Sequence, residues 1–414
     1  MRLAQGPLHF PEERMNEQTV HLKAAITTPP STLNTRQTSA SVAGPATSPA
    51  QRQVCQRCVM DSSAENIRFD ANGVCHFCRD FLQKQTPVLD KSDASRSVET
   101  RELIDRIKSA GRRKRYDCVV GVSGGIDSSY VLHLAVEHGL RPLAVHMDNN
   151  WNSEAAANNI KNLVTRLGVD LYTHVIEWQC YRSLLQAFLD ADVVDIELLY
   201  DNASQGVVYR QAKKHGIRHM LMGFNAATEG LMLPRGWRHF KWDLRNIRDI
   251  ARSGSAATRK FPGIGIWRRL YYHKVCRMQQ VRLLNYVEFN KSQALELLEE
   301  RYDYKRYQYK HYESILTRFY QGYLLPVKFG IDKRRVHAST LIMTGEMTRA
   351  EALEMLEGPA YDPAEIERDR KYFVKKMGWT ENQLDDYLAR PPRSHDEFRS
   401  DGPLWTKMRQ LRGR

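Results

Sequence analysis

The 414-residue chain is as informative in what it lacks as in what it carries. No apolar run approaches the ~18–20 residues a membrane-crossing helix needs, and the first residues lack the basic-then-apolar order of a secretory signal. A protein with no membrane association, located in the cytoplasm, is therefore expected. Cysteine is scarce, seven in all, and four of those sit in two CxxC pairs. That distribution excludes a disulfide framework and suits metal in a reducing compartment. Acidic residues are nearly missing from one stretch: Leu231 to Arg282 holds 13 Lys/Arg against Asp243 and Asp249 alone. Much of the formal charge of +14 is thus a local property. It fits a phosphorylated small molecule, RNA, an acidic partner, or merely a solvated basic face.

Aromatics are also sparse in residues 1–50, which contain "TTPPSTLNTRQTSASVAGPATSPAQ". Such a composition cannot bury enough apolar surface to offset ordering entropy, so disorder is expected there. A cysteine module follows over 51–85. From Asp117 the pattern becomes strand–helix repeats: strands 117–122, 141–147, 171–177 and 219–223, with helices 128–138, 153–167, 181–190 and 203–215. Short apolar runs alternating with helices predict a Rossmann-like parallel α/β sheet within 100–230. Residues 231–345 read as a basic, aromatic and mostly helical substrate-binding region, and 346–414 as a helical tail.

The module "CQRCVMDSSAENIRFDANGVCHFC" spaces Cys55, Cys58, Cys75 and Cys78 as C-x2-C-x16-C-x2-C. Two CxxC knuckles supply the four thiolates of a tetrahedral ion, so a structural Zn²⁺ in a ribbon-like fold is expected. Redox dithiols or an iron–sulfur cluster are the alternatives.

A second lack decides the reading of "VVGVSGGIDSSYVLHLAVEHGL", 119–140. No lysine follows the glycine pair, which excludes GxxxxGK[ST], and GxGxxG is absent as well. What remains is Ser123-Gly124-Gly125-Ile126-Asp127-Ser128 between a strand and a helix. There, backbone N–H groups and a helix N-terminus can approach an anion closely. This turn resembles the SGGxDS signature of the PP-loop ATP pyrophosphatases. The resemblance implies ATP cleaved between its α and β phosphates, Ser123, Gly124, Gly125 and Ser128 cradling phosphate, and Asp127 helping to hold Mg²⁺. Asp148, in "VHMDNNW", ends the second strand, where ligands of such sheets sit; a helix-cap role is the alternative. "MGFNAATEG" would bring Gly223, Asn225, Thr228 and Glu229 to the same crevice, or form a plain turn.

The stretches "GWRHFKWDLRNIRDI", 236–250, and "HYESILTRFYQGYLLPVKFGIDKRRVHASTLIMTGEMTRAEALEML", 311–356, resemble the N-acetyl sugar amidotransferases of surface polysaccharide (LPS O-antigen) and flagellin biosynthesis. That family resemblance implies a ligase that adenylylates the acetamido oxygen of a UDP-linked N-acetyl sugar and admits ammonia, leaving an acetamidino group. It also implies a separate glutaminase subunit as the ammonia donor. The residues agree with the last point, since Cys118, Cys180 and Cys276 lack the glycine-rich context of a glutaminase nucleophile. Trp237, Arg238, Lys241, Trp242, Arg245, Arg334 and Arg335 are candidates for binding the nucleotide sugar, with core packing as the alternative for either tryptophan. Lys328 and Lys333 are candidate catalytic phosphate contacts beside Asp127 and Ser123, an ion-pair network being the alternative. Two rivals stand beside this reading: a PP-loop tRNA-modifying enzyme, weakened by the lack of a further cysteine pair, and a non-enzymatic zinc-bearing scaffold. Nucleic acid is thus not the expected partner.

Overall fold

The structure, a computed structural model, describes residues 52–252, 256–307 and 313–412. The expectation of disorder over residues 1–50 lies outside these. Five parallel strands form one sheet: β1 (Cys118–Gly121), β2 (Pro142–Asp148), β3 (Leu171–Val175), β4 (His219–Leu221) and β5 (Gln279–Val281), in the order β3-β2-β1-β4-β5. The fifth strand falls in the stretch expected to be helical; three residues are too short to leave a pattern in sequence.

Strand composition follows position. β1, β2 and β4 are apolar and buried because helices cover both faces of the sheet. β3 lies at an edge, and its outer residues Leu171, Thr173 and Val175 face solvent. Alternation along β1 divides the core in two. Val119, with Val145 and Met220, packs against Val207 and Val208 of the helix Glu197–Lys214. Cys118 and Val120, with Ala144 and Leu221, pack against Val131 and Leu132 of the helix Ile126–Glu137, and against Leu103 and Ile107 of Asp93–Gly111. Fully burying each valine, leucine, isoleucine or methionine among them contributes roughly 1.5–3 kcal/mol.

The order in which strands are added reverses between β1 and β4: β2 and β3 extend the sheet to one side, β4 and β5 to the other. Such a reversal opens a crevice beyond the carboxyl ends of the two strands. The turn Ser123–Ser128 and the segment Gly223–Thr228 emerge there as neighbours.

The C-terminal region is helical over Arg334–Thr344, Arg349–Glu357, Pro363–Met377 and Glu381–Ala389. Its boundaries are written in caps. Thr348 with Glu351, and Thr380 with Gln383, form reciprocal capping boxes, and Asp362 caps Ala364 N–H just before Pro363. Phe373 brings this region onto the sheet by stacking on Trp151 just after β2, centroids 6.0 Å apart. No helix among the described residues is long and apolar enough to cross a membrane.

Candidate active site

The turn after β1 is shaped by its own side chains. Ser123 N–H donates to Ser128 Oγ at 3.2 Å, Ser128 Oγ donates to Gly125 O at 3.1 Å, and Gly125 N–H donates to Ser123 Oγ at 3.3 Å. Gly124 takes φ +86° and passes so close to Ala156 that a Cβ would lie 3.0 Å from its carbonyl oxygen. Only glycine adopts this conformation and fits this gap without strain. Gly125 is the N-cap of the helix Ile126–Glu137 and offers no side-chain cap, so the first N–H groups of that helix remain for a ligand.

Two residues absent from the sequence reading complete the turn. Tyr304 and Tyr307 both donate their hydroxyls to Gly124 O, at 2.8 and 2.9 Å. Both lone pairs of that carbonyl oxygen are thereby engaged. Burial pushes both phenols upward, and the neighbouring Glu313 carboxylate adds to the effect, so they remain protonated donors. Glu313 is a third such residue. Its carbonyl accepts from Ser153 N–H at 2.9 Å, and its carboxylate lies 3.8 Å from where a Gly125 Cβ would be. No local pattern announces these residues, because each approaches the turn from about 180 positions away.

The segment after β4 interlocks with the turn. A Cβ on Gly223 would lie 3.0 Å from Ser128 N, which accounts for glycine there. Asn225 Oδ1 accepts from Thr228 N–H at 2.9 Å and Asn225 Nδ2 reaches Thr228 Oγ1 at 3.0 Å, so this pair fixes the segment. Glu229 follows, half-buried. Asp148 Oδ1 accepts from Asn150 N–H at 2.7 Å, while Ser153 is the cap of the next helix, Glu154–Leu167. The helix-cap alternative for Asp148 therefore does not hold. His146, at the end of β2, ties the strands together: its Nδ1 lies 2.8 Å from Val122 O and its Nε2 accepts from Asn152 Nδ2 at 2.9 Å. Burial keeps this imidazole below its ordinary pKa.

The structure separates the expected cations into two groups. Lys328 is buried, and its Nζ is engaged by Tyr387 O at 2.5 Å, Arg390 O at 2.7 Å and Asp192 at 3.0 Å. Three acceptors satisfy its three protons, so it ties C-terminal segments together instead of facing a phosphate. Lys333 pairs with Glu197 at 2.6 Å, and Lys241 bridges Asp195 and Asp201, each at 2.8 Å. Burial works against the Lys241 charge, but the carboxylates of Asp195, Asp201 and Glu197 outweigh it. Arg334 is held by Asp332 and by the carbonyls of Met355, Gly358 and Pro359. Arg335 reaches Asp61 at 3.2 Å and Val59 O at 2.8 Å. For Lys328 and Lys333 the ion-pair alternative is what the geometry contains, and Lys241, Arg334 and Arg335 are likewise held by acceptors within the protein. Trp237 is in the core, 2% exposed. Trp242 is half-buried, with the guanidinium of Arg269 over its ring at 4.5 Å and Tyr209 in a T-shaped contact. Arg238 and Arg245 are exposed, and Arg245 lines a cavity of about 520 Å³.

The cysteine module forms a second centre. Cys55, Cys58, Cys75 and Cys78 are fully buried, with sulfur atoms all within 4.8 Å of one another. N–H groups of Arg57, Cys58 and Cys75 point at Cys55 Sγ and that of Met60 at Cys58 Sγ, all at 3.2–3.5 Å. Such bonds favour thiolates over thiols. Four thiolates around one point fit a single metal ion. Among the described residues no other group of three or more candidate ligands comes together. The module also supports the active site: Phe81, on the helix His76–Lys84, packs where a Gly230 Cβ would lie, just after Glu229. Arg349, from the C-terminal region, binds the carbonyls of Cys55 and Cys58 at 3.0–3.2 Å.

Comparison with known proteins agrees with this division. Residues 99–223 match the NAD synthase family model, which spans β1 to the end of β4 and makes this an ATP-utilising α/β unit of the PP-loop class. Residues 313–412 match the model described as LPS biosynthesis protein WbpG-like, C-terminal domain. Neither match spans half of the chain; side by side they pair an NAD-synthase-like PP-loop unit with a WbpG-like C-terminal domain. A comparison with curated proteins gives no match. Solved structures with distant likeness include NMN synthetase from Francisella tularensis, at 17% identity over 50% of this chain and 93% of that one, TM-score 0.25. Another is the NH3-dependent NAD synthetase of Campylobacter jejuni, at 16% identity, 50% and 93% coverage, TM-score 0.26. A third is the U34-tRNA thiolase NcsA from Methanococcus maripaludis with its [4Fe-4S] cluster, at 13% identity, 74% and 88% coverage, TM-score 0.29.

Proposed function

We propose that the protein is an ATP-dependent, AMP-forming amidotransferase that converts the acetamido group of a UDP-linked N-acetyl sugar into an acetamidino group during surface polysaccharide biosynthesis. The observation that carries this reading is the lysine-free turn Ser123–Ser128, with Glu313, the first residue of the WbpG-like region, placed against it.

An acetamido carbon resists ammonia because its oxygen leaves poorly. In the proposed reaction that oxygen attacks the α-phosphorus of ATP, the α–β bridging bond breaks, and pyrophosphate departs. Ammonia adds to the resulting imidate carbon, the C–O bond to AMP breaks, and a proton is released. The turn supplies what the first step needs. Its helix N-terminus and Ser123 and Ser128 hydroxyls hold the departing pyrophosphate, and Tyr304 and Tyr307 keep the Gly124 carbonyl from repelling it. Mg²⁺, when bound, would neutralise phosphate charge; Asp127 is the carboxylate of the turn suited to hold it, with Asp148 and Glu313 at the same crevice. Ammonia comes from a separate glutaminase subunit, in keeping with Cys118 and Cys180 being buried and pushed upward chiefly by burial, the opposite of an activated nucleophile. The ion in the cysteine module is read as zinc. Three of the six sulfur–sulfur separations, 3.7–4.0 Å, are close to the ~3.8 Å edge of a tetrahedron with ~2.3 Å bonds, and the others lie within 4.8 Å.

The test is incubation of UDP-linked diacetamido sugars with ATP and an ammonium salt. AMP, pyrophosphate and a product in which NH replaces O are expected by mass spectrometry. Asp127→Ala should lower turnover about 10²–10³-fold while leaving melting and metal content unchanged. ADP and orthophosphate as products, or full activity in the variant, would overturn the reading.

A further inference from the structure

The turn that follows β2 is held from the far end of the chain. Asp148 ends that strand beside β1, and Asn149 and Asn150 carry the chain onward at the crevice. Asn150 takes φ +67°, a left-handed conformation that residues with side chains enter at a cost, asparagine least. The conformation has a use. Asn150 N–H comes back onto Asp148 Oδ1 at 2.7 Å, and Asn150 Nδ2 donates to Ile176 O at 2.8 Å. One oxygen of the half-buried Asp148 is thereby fixed, while its Oδ2 makes no hydrogen bond or ion pair among the described residues. Backbone conformations of this kind persist where the surrounding contacts over-determine them.

Much of that determination comes from Lys376, near the end of the helix Pro363–Met377. Its Nζ donates to the carbonyl oxygen of Asn150 itself, and to the Tyr372 hydroxyl at 2.8 Å. Three rings stand around the ammonium, with centroids at 4.8 Å for Trp151, 5.0 Å for Tyr372 and 5.2 Å for Trp178. Each attracts a cation through its π face. No acid pairs with Lys376 among the described residues, so the ion-pair explanation that accounts for Lys328 and Lys333 does not apply to it. Trp151 is fully buried and its Nε1 has no hydrogen-bond partner. Packing against Trp178, Tyr372 and Phe373 therefore sets this ring, not a bond of its own. The chain entering the C-terminal region grips the same turn: Ile315 N–H donates to Trp151 O, and Ser153 N–H to Glu313 O, each at 2.9 Å.

We propose that Lys376 is a positioning residue for nucleotide binding. By holding the Asn150 carbonyl, it keeps Asp148 in the arrangement that leaves one carboxylate oxygen for the nucleotide. The WbpG-like region thereby completes the nucleotide site of the sheet unit, acting through Asn150 without touching phosphate. That Asp148 meets the nucleotide rests on the ATP-dependent reading above; the hold on the turn does not.

The experiment takes two readings on the full chain, and neither needs an acceptor sugar. In hydrogen exchange without nucleotide, the amides of 149–152 should exchange at least about tenfold faster in Lys376→Met than in the parent. In calorimetric titration, Lys376→Met should bind α,β-methylene-ATP about tenfold more weakly, the factor for one lost charge-assisted contact. Lys376→Arg keeps a donor and a cation for the rings, and should recover most of both effects. Trp379→Phe removes a different tie of the C-terminal region, from Nε1 to Gln186 Oε1 at 2.7 Å, with no bond to the turn. It should lower the melting temperature and leave both readings as in the parent. Parent-like exchange in Lys376→Met would overturn the hold, and faster exchange with unchanged nucleotide affinity would overturn the positioning role. So would a Trp379→Phe protein as weak for the nucleotide as Lys376→Met, since docking alone would then explain the loss. Weakened nucleotide binding in Lys376→Met, without amidination of any acetamido sugar by the parent, would leave Lys376 in place and sink the functional reading. Amidination with unchanged nucleotide affinity in Lys376→Met would do the reverse.

Discussion

Two stretches of this chain are rich in cations, and they use them in opposite ways. In 328–349, Lys328, Lys333, Arg334, Arg335 and Arg349 each find carboxylates or carbonyls within the protein. In 231–282, Arg245 and Arg268 are exposed on the wall of an open cavity, with Asp401 3.7 Å from Arg245. The lesson is about connectivity. A buried cation whose acceptors come from distant segments serves the fold, whereas an exposed one stays largely in water. Charge counted along the sequence does not distinguish the two cases; Lys241, within the second stretch, is itself bound by Asp195 and Asp201.

The contrast can be broken most sharply at Lys328. Lys328→Met removes one partner of a buried pair, a change that costs ~3–5 kcal/mol when the partner is stranded. Arg390 remains on Asp192 at 2.9 Å, so the lower end, about 3 kcal/mol, is expected from denaturant unfolding. An unchanged midpoint would place Lys328 among the solvated cations.

The next effect concerns pH. His395 is buried, accepts from Asp195 N–H at 3.2 Å through Nε2, and places Nδ1 2.7 Å from Asn246 Oδ1, an arrangement that needs the neutral ring. Burial, then the neighbouring His239, lowers its pKa to about 3. The unfolded chain therefore binds a proton from about pH 6.5 downward that the native state refuses until about pH 3. Stability contributed by this histidine is present above pH 6.5 and lost as pH falls through that window, at about 1.4 kcal/mol per unit. Asp195, held at about 2 because Lys241 and Lys333 outweigh its burial, loses its own contribution only below the ordinary carboxylate range. Thermal melts between pH 7 and 4 should show this slope, and His395→Gln should flatten it. The smallest effect is expected at Arg238, which is exposed and without a partner among the described residues. Arg238→Ala should alter stability by less than about 0.5 kcal/mol.

Much of the architecture can be read from local pattern. Strands β1, β2 and β4 are apolar runs ended by turn residues, and the glycine pair with Ser123, Asp127 and Ser128 marks the crevice before any coordinates are known. The spacing of Cys55, Cys58, Cys75 and Cys78 likewise predicts that four sulfurs meet, and they do. What stays hidden is everything that depends on long-range closure. Tyr304, Tyr307 and Glu313 belong to the crevice only because the chain returns to it about 180 residues after the turn. Trp237 and Trp242 have the chemistry of a base platform, but packing commits one to the core and lays the Arg269 guanidinium over the other. Lys328 has the chemistry of a phosphate ligand, and the carbonyls of Tyr387 and Arg390 claim it first.

The guanidinium of Arg349 on the carbonyls of Cys55 and Cys58 has a practical consequence. The start of the described chain and its C-terminal helical region are stitched at the very loop that shapes the metal knuckle, so cutting the protein between the sheet unit and the tail would damage both pieces. Chelation should likewise be felt far downstream, as faster proteolysis around Arg349, long before the sheet itself gives way.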